Sequence, residues 1–254
     1  MEKIKRMNCH NLLGGDAMEK VPSIGELLKK VPLFAEMSEQ ERADLEKLAK
    51  IKRFSRGTVL FEEGDEGQEL FILTRGLLKV GVIHEDGREF TLIINRPFDC
   101  LGEIALLDGS PRSAGATALE DVELLSIHRS DFDRFLATHP KIKDSIIRLL
   151  CWRLRNLTNE VTDFAFLNVY YRLSKKILEF AATFGVETPE GTVIDRKITH
   201  QELANMVGTS REMITKILNE MKKEKVISSL DNKLLIPEKG KERLMRASTI
   251  LGES

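Results

Sequence analysis

From Gly102 to Ala114 the chain reads GEIALLDGSPRSA: one carboxylate, a short apolar run, a turn, then an arginine followed by a serine. Arg112 offers a guanidinium that can hold phosphate oxygens through charge-assisted hydrogen bonds, and Ser113 adds a hydroxyl donor. Gly102 permits close backbone approach. A short helix beginning near Glu103 would turn free N–H groups toward an anion. Glu103 would repel a phosphate but could accept a hydrogen bond from a hydroxyl, with Arg112 nearby to keep it ionised. Ile104, Ala105 and Ala114 complete the candidate binding set. A structural Glu103–Arg112 ion pair is the competing reading of the same residues.

A second constellation lies in KITHQELANMVGTSREMITKILNEMKKEKVI, from Lys197 to Ile227. Thr199 and Glu202 have the spacing of a capping box that opens a short helix. Val207-Gly208-Thr209 is a compact turn, Ser210 can cap the next helix, and Ile214, Ile217, Leu218 and Met221 form that helix's buried stripe. This is helix-turn-helix patterning, with the second helix free to enter a major groove. Its exposed face carries Arg211, Glu212, Thr215 and Lys216. Arginine can bond guanine O6 and N7 together, and glutamate can accept from cytosine N4. Glu212 and Lys216 could instead form an ordinary i,i+4 surface pair. VISSLDNKLLI then fits a wing hairpin turning at Asp231-Asn232. Lysines there and in MKKEK would mostly touch phosphates.

The elements that must hold these two sets differ in kind. The chain has 254 residues, 42% hydrophobic and 31% charged, which fits a soluble protein of more than one domain. Its net charge of -1 hides an asymmetry. Residues 51–135 carry ten basic and sixteen acidic side chains, whereas 196–246 carry twelve basic and seven acidic. An anionic partner suits the second block. Between Thr58 and His128, TVLFEEG, ELFILTRG, LLKVGVI, EFTLIIN and VELLSIH are short strands, with a hairpin turn at EDGR (85–88). They predict an antiparallel sandwich or jelly roll. SIGELLKKVPLF and SEQERADLEKLAK before them read as short helices, the second with a capping box from Ser38 to Glu41.

After Pro140 the period becomes helical. Ile147, Leu150, Leu154, Leu157, Val161 and Phe164 form a narrow heptad seam, suited to pairing with a second helix or to lying on the domain's own core. FAFLNVYYRLSKKILEFAATFG continues as a new helix ending at Gly185. VETPEGTVID is a loop or short hairpin, and the remainder is helical with a terminal strand pair. The predicted architecture is α+β. Residues 1–22 form an N-terminal extension, 23–139 a β-barrel domain, 140–167 a dimerisation helix and hinge, and 168–248 a winged helix-turn-helix domain. No run approaches the roughly 18 apolar residues of a membrane span. Cys9, Cys100 and Cys151 are too scattered for a disulfide framework, which points to a reducing cytoplasm.

GEIALLDGSPRSA resembles the phosphate-binding cassette of cyclic-nucleotide-binding domains. Followed by the seam helix and TSREMITKIL, it resembles the cyclic-AMP receptor/fumarate-nitrate regulator (CRP/FNR) family of bacterial transcription factors, over about residues 33–244. The resemblance implies a cytoplasmic homodimer joined through helix 140–167, which binds a cyclic nucleotide, with cAMP foremost, and pseudo-palindromic double-stranded DNA. It also implies RNA polymerase as a partner and a half-site similar to TGTGA. It assigns the ribose 2′-hydroxyl to Glu103 and the phosphate to Arg112 and Ser113. Where two neighbouring hydroxyl residues of the family's long helix recognise the adenine, this chain has Leu157 and Thr158. Thr158 keeps one hydroxyl. Leu157 should favour helix pairing over base hydrogen bonding. Asn168 stands at the hinge where the family relative has aspartate, and either can cap the next helix. Lys216 replaces an arginine and cannot form a bidentate fork, which should soften specificity at that base step.

Other classes have less behind them. A regulator of the same family could sense a different signal or bind DNA without a cyclic nucleotide. The oxygen-sensing branch needs a cysteine cluster, and Cys9 stands alone near the N-terminus, with Cys9-His10 more like an ordinary tail than a metal ligand. A metal-dependent jelly-roll enzyme would need converging histidines. His84 and His128 are the two in the strand region, far apart in sequence, and no H-x-H pair occurs. No catalytic triad motif is present, and a nucleotide module serving a kinase or channel would lack the basic helix-turn-helix.

Overall fold

Serine begins each of the first two helices. In the computed structural model, which describes residues 23–249, Ser23 and Ser38 each close a capping box, with Glu26 and Glu41. They open helices α1 (Ile24–Lys30) and α2 (Glu39–Leu48). The expected extension 1–22, with Cys9 and His10, lies outside the described residues.

The period-2 region folds into two four-stranded antiparallel sheets that face each other. The strands are β1 (Lys50–Phe54), β2 (Val59–Phe61), β3 (Glu69–Arg75), β4 (Leu78–Ile83), β5 (Glu89–Asn95), β6 (Cys100–Leu101), β7 (Gly115–Ala118) and β8 (Val122–His128). One sheet runs β1-β8-β3-β6 and the other β2-β7-β4-β5, the arrangement of a jelly roll. A short helix α3 (Glu103–Asp108) interrupts the strands between β6 and β7. Between the sheets lie Phe71, Leu73, Leu78, Leu101, Ala116, Ala118, Val122 and Leu124. Strand β7 reads GATA, in which glycine and two alanines have little β-propensity, and it goes unrecognised in the pattern. Its pairing with β2 and β4 makes it a strand.

Helix α4 (Arg129–Thr138) leads into the long helix α5 (Pro140–Phe166), with proline in its first turn. Two faces of α5 differ, one lying on the chain's own core and the other left open. Ile142 and Ile146 are buried in the barrel domain's lower core with Phe34, Phe132 and Phe135, and Leu150 packs against them. Ile147, Leu154, Leu157 and Val161 face outward and are exposed. Phe164, also exposed, has contacts within the chain as well. It meets Phe90 of β5 edge-on, with ring centroids 5.3 Å apart, and carries the Arg172 guanidinium over its face.

Asn168 caps helix α6 (Val169–Phe184) through the Tyr171 N–H, as its position suggests. A sheet β11-β12-β10-β9 follows, from β9 (Gly185–Thr188), β10 (Gly191–Ile194), β11 (Ser228–Leu230) and β12 (Lys233–Ile236). Between β10 and β11 lie α7 (His200–Val207) and α8 (Arg211–Lys223). Asp231 and Asn232 both take positive φ, so the wing turns at the expected dipeptide. The strand pair is not terminal. A further helix, α9 (Glu238–Thr249), buries Leu244 in the core shared by α6, α7 and α8.

Candidate functional site

The GEIALLDGSPRSA segment forms strand end, α3 and the loop into β7. Gly102 is left-handed at φ 81°, and an added Cβ would collide with the Arg112 guanidinium. Both facts require glycine. Glu103 (2% exposed), Ala105 and Ala114 are buried, whereas Ile104 and Ser113 are exposed.

Arg112 is 5% exposed and folds inward. Its two terminal nitrogens donate to the Gly102 carbonyl at 2.8 Å and the Glu69 carbonyl at 2.7 Å. Its guanidinium carbon stands 4.3 Å from the Phe61 ring centroid. Burial lowers its proton affinity, opposed by Glu69, Glu103 and Asp65.

The competing Glu103–Arg112 ion pair does not form; Glu103 pairs elsewhere. The Glu103 carboxylate is bonded directly by Arg153 of α5, whose other terminal nitrogen donates to the Cys100 carbonyl. Arg112 acts on Glu103 only through space. Burial pushes the Glu103 carboxyl above its ordinary range, and Arg153 is the largest force pulling it back. Sequence reasoning missed Arg153, yet a signal existed: it lies one helical turn before Leu157. Thr158 is exposed, and its hydroxyl donates to the Leu154 carbonyl, not into the cassette. Burial also raises the Cys100 thiol, leaving it an inert core residue.

The cassette carries unspent hydrogen-bonding capacity. Among the described residues, five buried side-chain atoms lack partners, and Glu103 Oε2, Arg112 Nε and Arg153 Nε are three of them. A buried cluster of two guanidinium groups and a carboxylate with unspent atoms suits a small ligand bearing both a phosphate and a hydroxyl. No cluster of three or more His, Cys, Asp or Glu in metal-binding arrangement occurs among the described residues.

In the second site, Thr199 caps α7 and shares a capping box with Glu202. Gly208 ends α7 at φ 71°, and a Cβ there would sit 2.7 Å from the Phe164 ring. Ser210 caps α8 through the Met213 N–H at 3.2 Å. Arg211, Glu212, Thr215, Lys216 and Asn219 lie together on one open face of α8. Arg211, Glu212 and Lys216 are exposed and Thr215 is half-buried. Glu212 forms no ion pair with Lys216. Its own backbone N–H and then Ser210 hold its carboxyl below the ordinary range.

A jelly roll with a cationic cassette, a long outward-facing helix and a winged helix-turn-helix define a ligand-responsive transcription regulator. Comparison with known proteins agrees: residues 51–139 match the cyclic nucleotide-binding domain, and residues 171–241 match the Crp-like helix-turn-helix domain. The chain is 33% identical over 193 residues to the CRP-like cAMP-activated global transcriptional regulator of Mycobacterium tuberculosis, covering 76% of this chain and 86% of that protein. It is 32% identical to the cyclic AMP receptor protein of Thermus thermophilus, covering 79% and 89%. The fold is similar to that of the c-di-GMP-responsive regulator CLP of Xanthomonas campestris, with a TM-score of 0.71 at 22% identity, covering 79% of this chain and 99% of that one. The chain belongs to the CRP/FNR family of transcription regulators.

Proposed function

We propose that this regulator binds cAMP in its barrel domain and, as a dimer, reads pseudo-palindromic DNA. The observation that carries the ligand assignment is the trio of unspent atoms on Glu103, Arg112 and Arg153. The phosphate is taken by Arg112 and Ser113, the former exchanging its backbone carbonyl partners for phosphate oxygens. Glu103 accepts from the ribose 2′-hydroxyl while Arg153 keeps it ionised. Gly102, Ile104, Ala105 and Ala114 form the cassette backbone and walls, and Thr158 supplies the base contact. Two relatives above 30% identity carry cAMP in their names, which supports adenine as the base.

Dimerisation uses Ile147, Leu154, Leu157 and Val161, apolar side chains left exposed at heptad spacing. Arg211, Glu212 and Lys216 read base edges, with Thr215 beside them, and Thr199 and Ser210 lie at helix N-termini facing the backbone. The half-site is similar to TGTGA. RNA polymerase is the partner of the DNA-bound dimer, and the site of action is the cytoplasm. Because Arg153 joins the cassette to the dimer helix, nucleotide binding biases the helix arrangement and with it the separation of the reading helices, about 34 Å when they match one DNA turn. A calorimetric titration with cAMP, with cGMP as comparator, tests this. Saturable binding lost in Arg112→Ala supports the site, and no heat with either nucleotide rejects it.

A further inference from the structure

A histidine at the first position of α7 has no role in the reading above. His200 Nδ1 lies 2.8 Å from Thr215 Oγ1, joining the first helix of the helix-turn-helix to the reading face of the second. The Thr215 hydroxyl donates its single proton to the Arg211 carbonyl at 2.9 Å. Nδ1 must therefore carry the hydrogen and donate to Thr215. In the neutral ring this leaves Nε2 as an acceptor only. It has no hydrogen-bond partner among the described residues.

Thr215 shares the open face of α8 with Arg211, Glu212, Lys216 and Asn219. The half-buried His200 ring, bonded to Thr215, lines the neighbouring cavity together with Arg196, Lys222 and Lys233. In helix-turn-helix docking the second helix enters the groove while the first crosses the phosphate backbone. A neutral Nε2 would oppose a phosphate there, and an Nε2–H would donate to it.

We propose that His200 is a DNA-backbone contact that binds as the imidazolium, so that DNA binding takes up protons. The inference rests on the DNA-binding reading of α8. The charged groups around the ring are cationic: Lys222 and Arg211 from α8, with Arg196 before α7 and Lys233 of the wing lining the same cavity. Arg196 pairs with Glu120, and Lys233 pairs with Asp195. In the free protein, burial, then Lys222, then Arg211 hold His200 below its ordinary value, so it is mainly neutral at pH 7. A phosphate facing Nε2 reverses that balance and pulls a proton on. The sign follows: the complex binds more protons than its components, so affinity falls as pH rises.

The test uses the full chain saturated with cAMP, a duplex carrying two TGTGA-like half-sites and an unrelated duplex of equal length. Calorimetry at pH 7 in two buffers of different ionisation enthalpy counts protons, and anisotropy follows affinity from pH 6 to 8. Wild type should take up as much as one proton per subunit and weaken severalfold per half-site across that range, on both duplexes alike, because a backbone contact ignores sequence. His200→Gln should bind with no uptake and a flat pH profile. His200→Arg should be equally flat but keep the low-pH affinity at pH 8. Absence of uptake in wild type, or equal uptake in His200→Gln, overturns the proposal. So does loss of affinity in both variants at every pH without wild-type uptake, which marks a purely structural histidine. Failure to bind either duplex at any pH rejects the DNA-binding reading itself.

Discussion

The Asn205 amide on α7 donates to the Glu89 carboxylate at 2.8 Å, tying the helix-turn-helix to the β4–β5 hairpin of the same chain's barrel domain. Glu89 is also paired with Lys79 of β4. Beside this bond, Phe90 meets Phe164 at the end of α5, and Gly208 at the end of α7 packs against both rings. Arg172 donates to the Val207 and Leu167 carbonyls at 3.1 and 2.7 Å and covers Phe164. Hairpin, long helix and reading domain therefore meet at one point.

Cutting that bond should loosen the ligand dependence. Asn205→Ala removes a hydrogen bond to a charged group, worth roughly 1.5–3 kcal/mol when partly buried. It should raise DNA affinity without nucleotide by about ten- to a hundredfold and leave nucleotide-saturated affinity nearly unchanged. Anisotropy with and without cAMP measures the ratio, and an unchanged ratio would show that the contact does not favour the ligand-free arrangement.

Arg112→Ala should lower cAMP affinity by at least about a hundredfold, since a charged, forked donor to the phosphate is lost. Arg112→Lys should retain part of the binding, because the charge survives but the fork does not. Titration calorimetry separates the two. Thermal unfolding should show both variants folded but destabilised, with the Gly102 and Glu69 carbonyls losing their donors.

Arg153→Met should act through Glu103. Burial raises the Glu103 carboxyl and Arg153 is the largest opposing force, so removing the cation raises it further. An acceptor for the 2′-hydroxyl works best ionised, and protonation sets in as pH falls through the raised value. Nucleotide affinity in the variant should therefore begin to fall at a higher pH than in wild type. Affinity profiles from pH 5 to 8 test this, and superimposable profiles would place Glu103 outside the binding interaction.

The seam should respond in two opposite ways. Leu154→Asp and Val161→Asp put charges on exposed apolar positions and should give monomers by sedimentation. Leu157→Ser should weaken pairing less, by about 1 kcal/mol per subunit, and increase discrimination of cAMP over cGMP by adding a hydroxyl beside Thr158. An unaltered cAMP/cGMP ratio would mean that this helix position does not meet the base.

Short-range signals in the chain specify its local structure. Ser38, Thr199, Ser210 and Asn168 each cap the helix they were expected to cap, because a cap needs only a side chain and an N–H two or three residues on. Alternation marked most strands, and Asp231-Asn232 marked the wing turn, for the same local reason. Strand β7, made of glycine, alanine and threonine, and helix α9 carry weaker local signals. Their partners β2, β4 and α6 lie far away in sequence.

The cassette residues were likewise legible as a group, being close together in one segment. Who pairs with whom was not. Arg153 is fifty residues from Glu103 and reaches it because α5 runs past α3. Arg112 stays near Glu103 but spends its hydrogen bonds on two backbone carbonyls. Phe164, spaced for a partner helix, also meets Phe90 and Arg172 of its own chain. Sequence by itself determined the caps, turns, periods and the inventory of charges, all set within a few residues. Tertiary structure alone decided which charge is buried against which, since burial and long-range pairing depend on how distant segments pack.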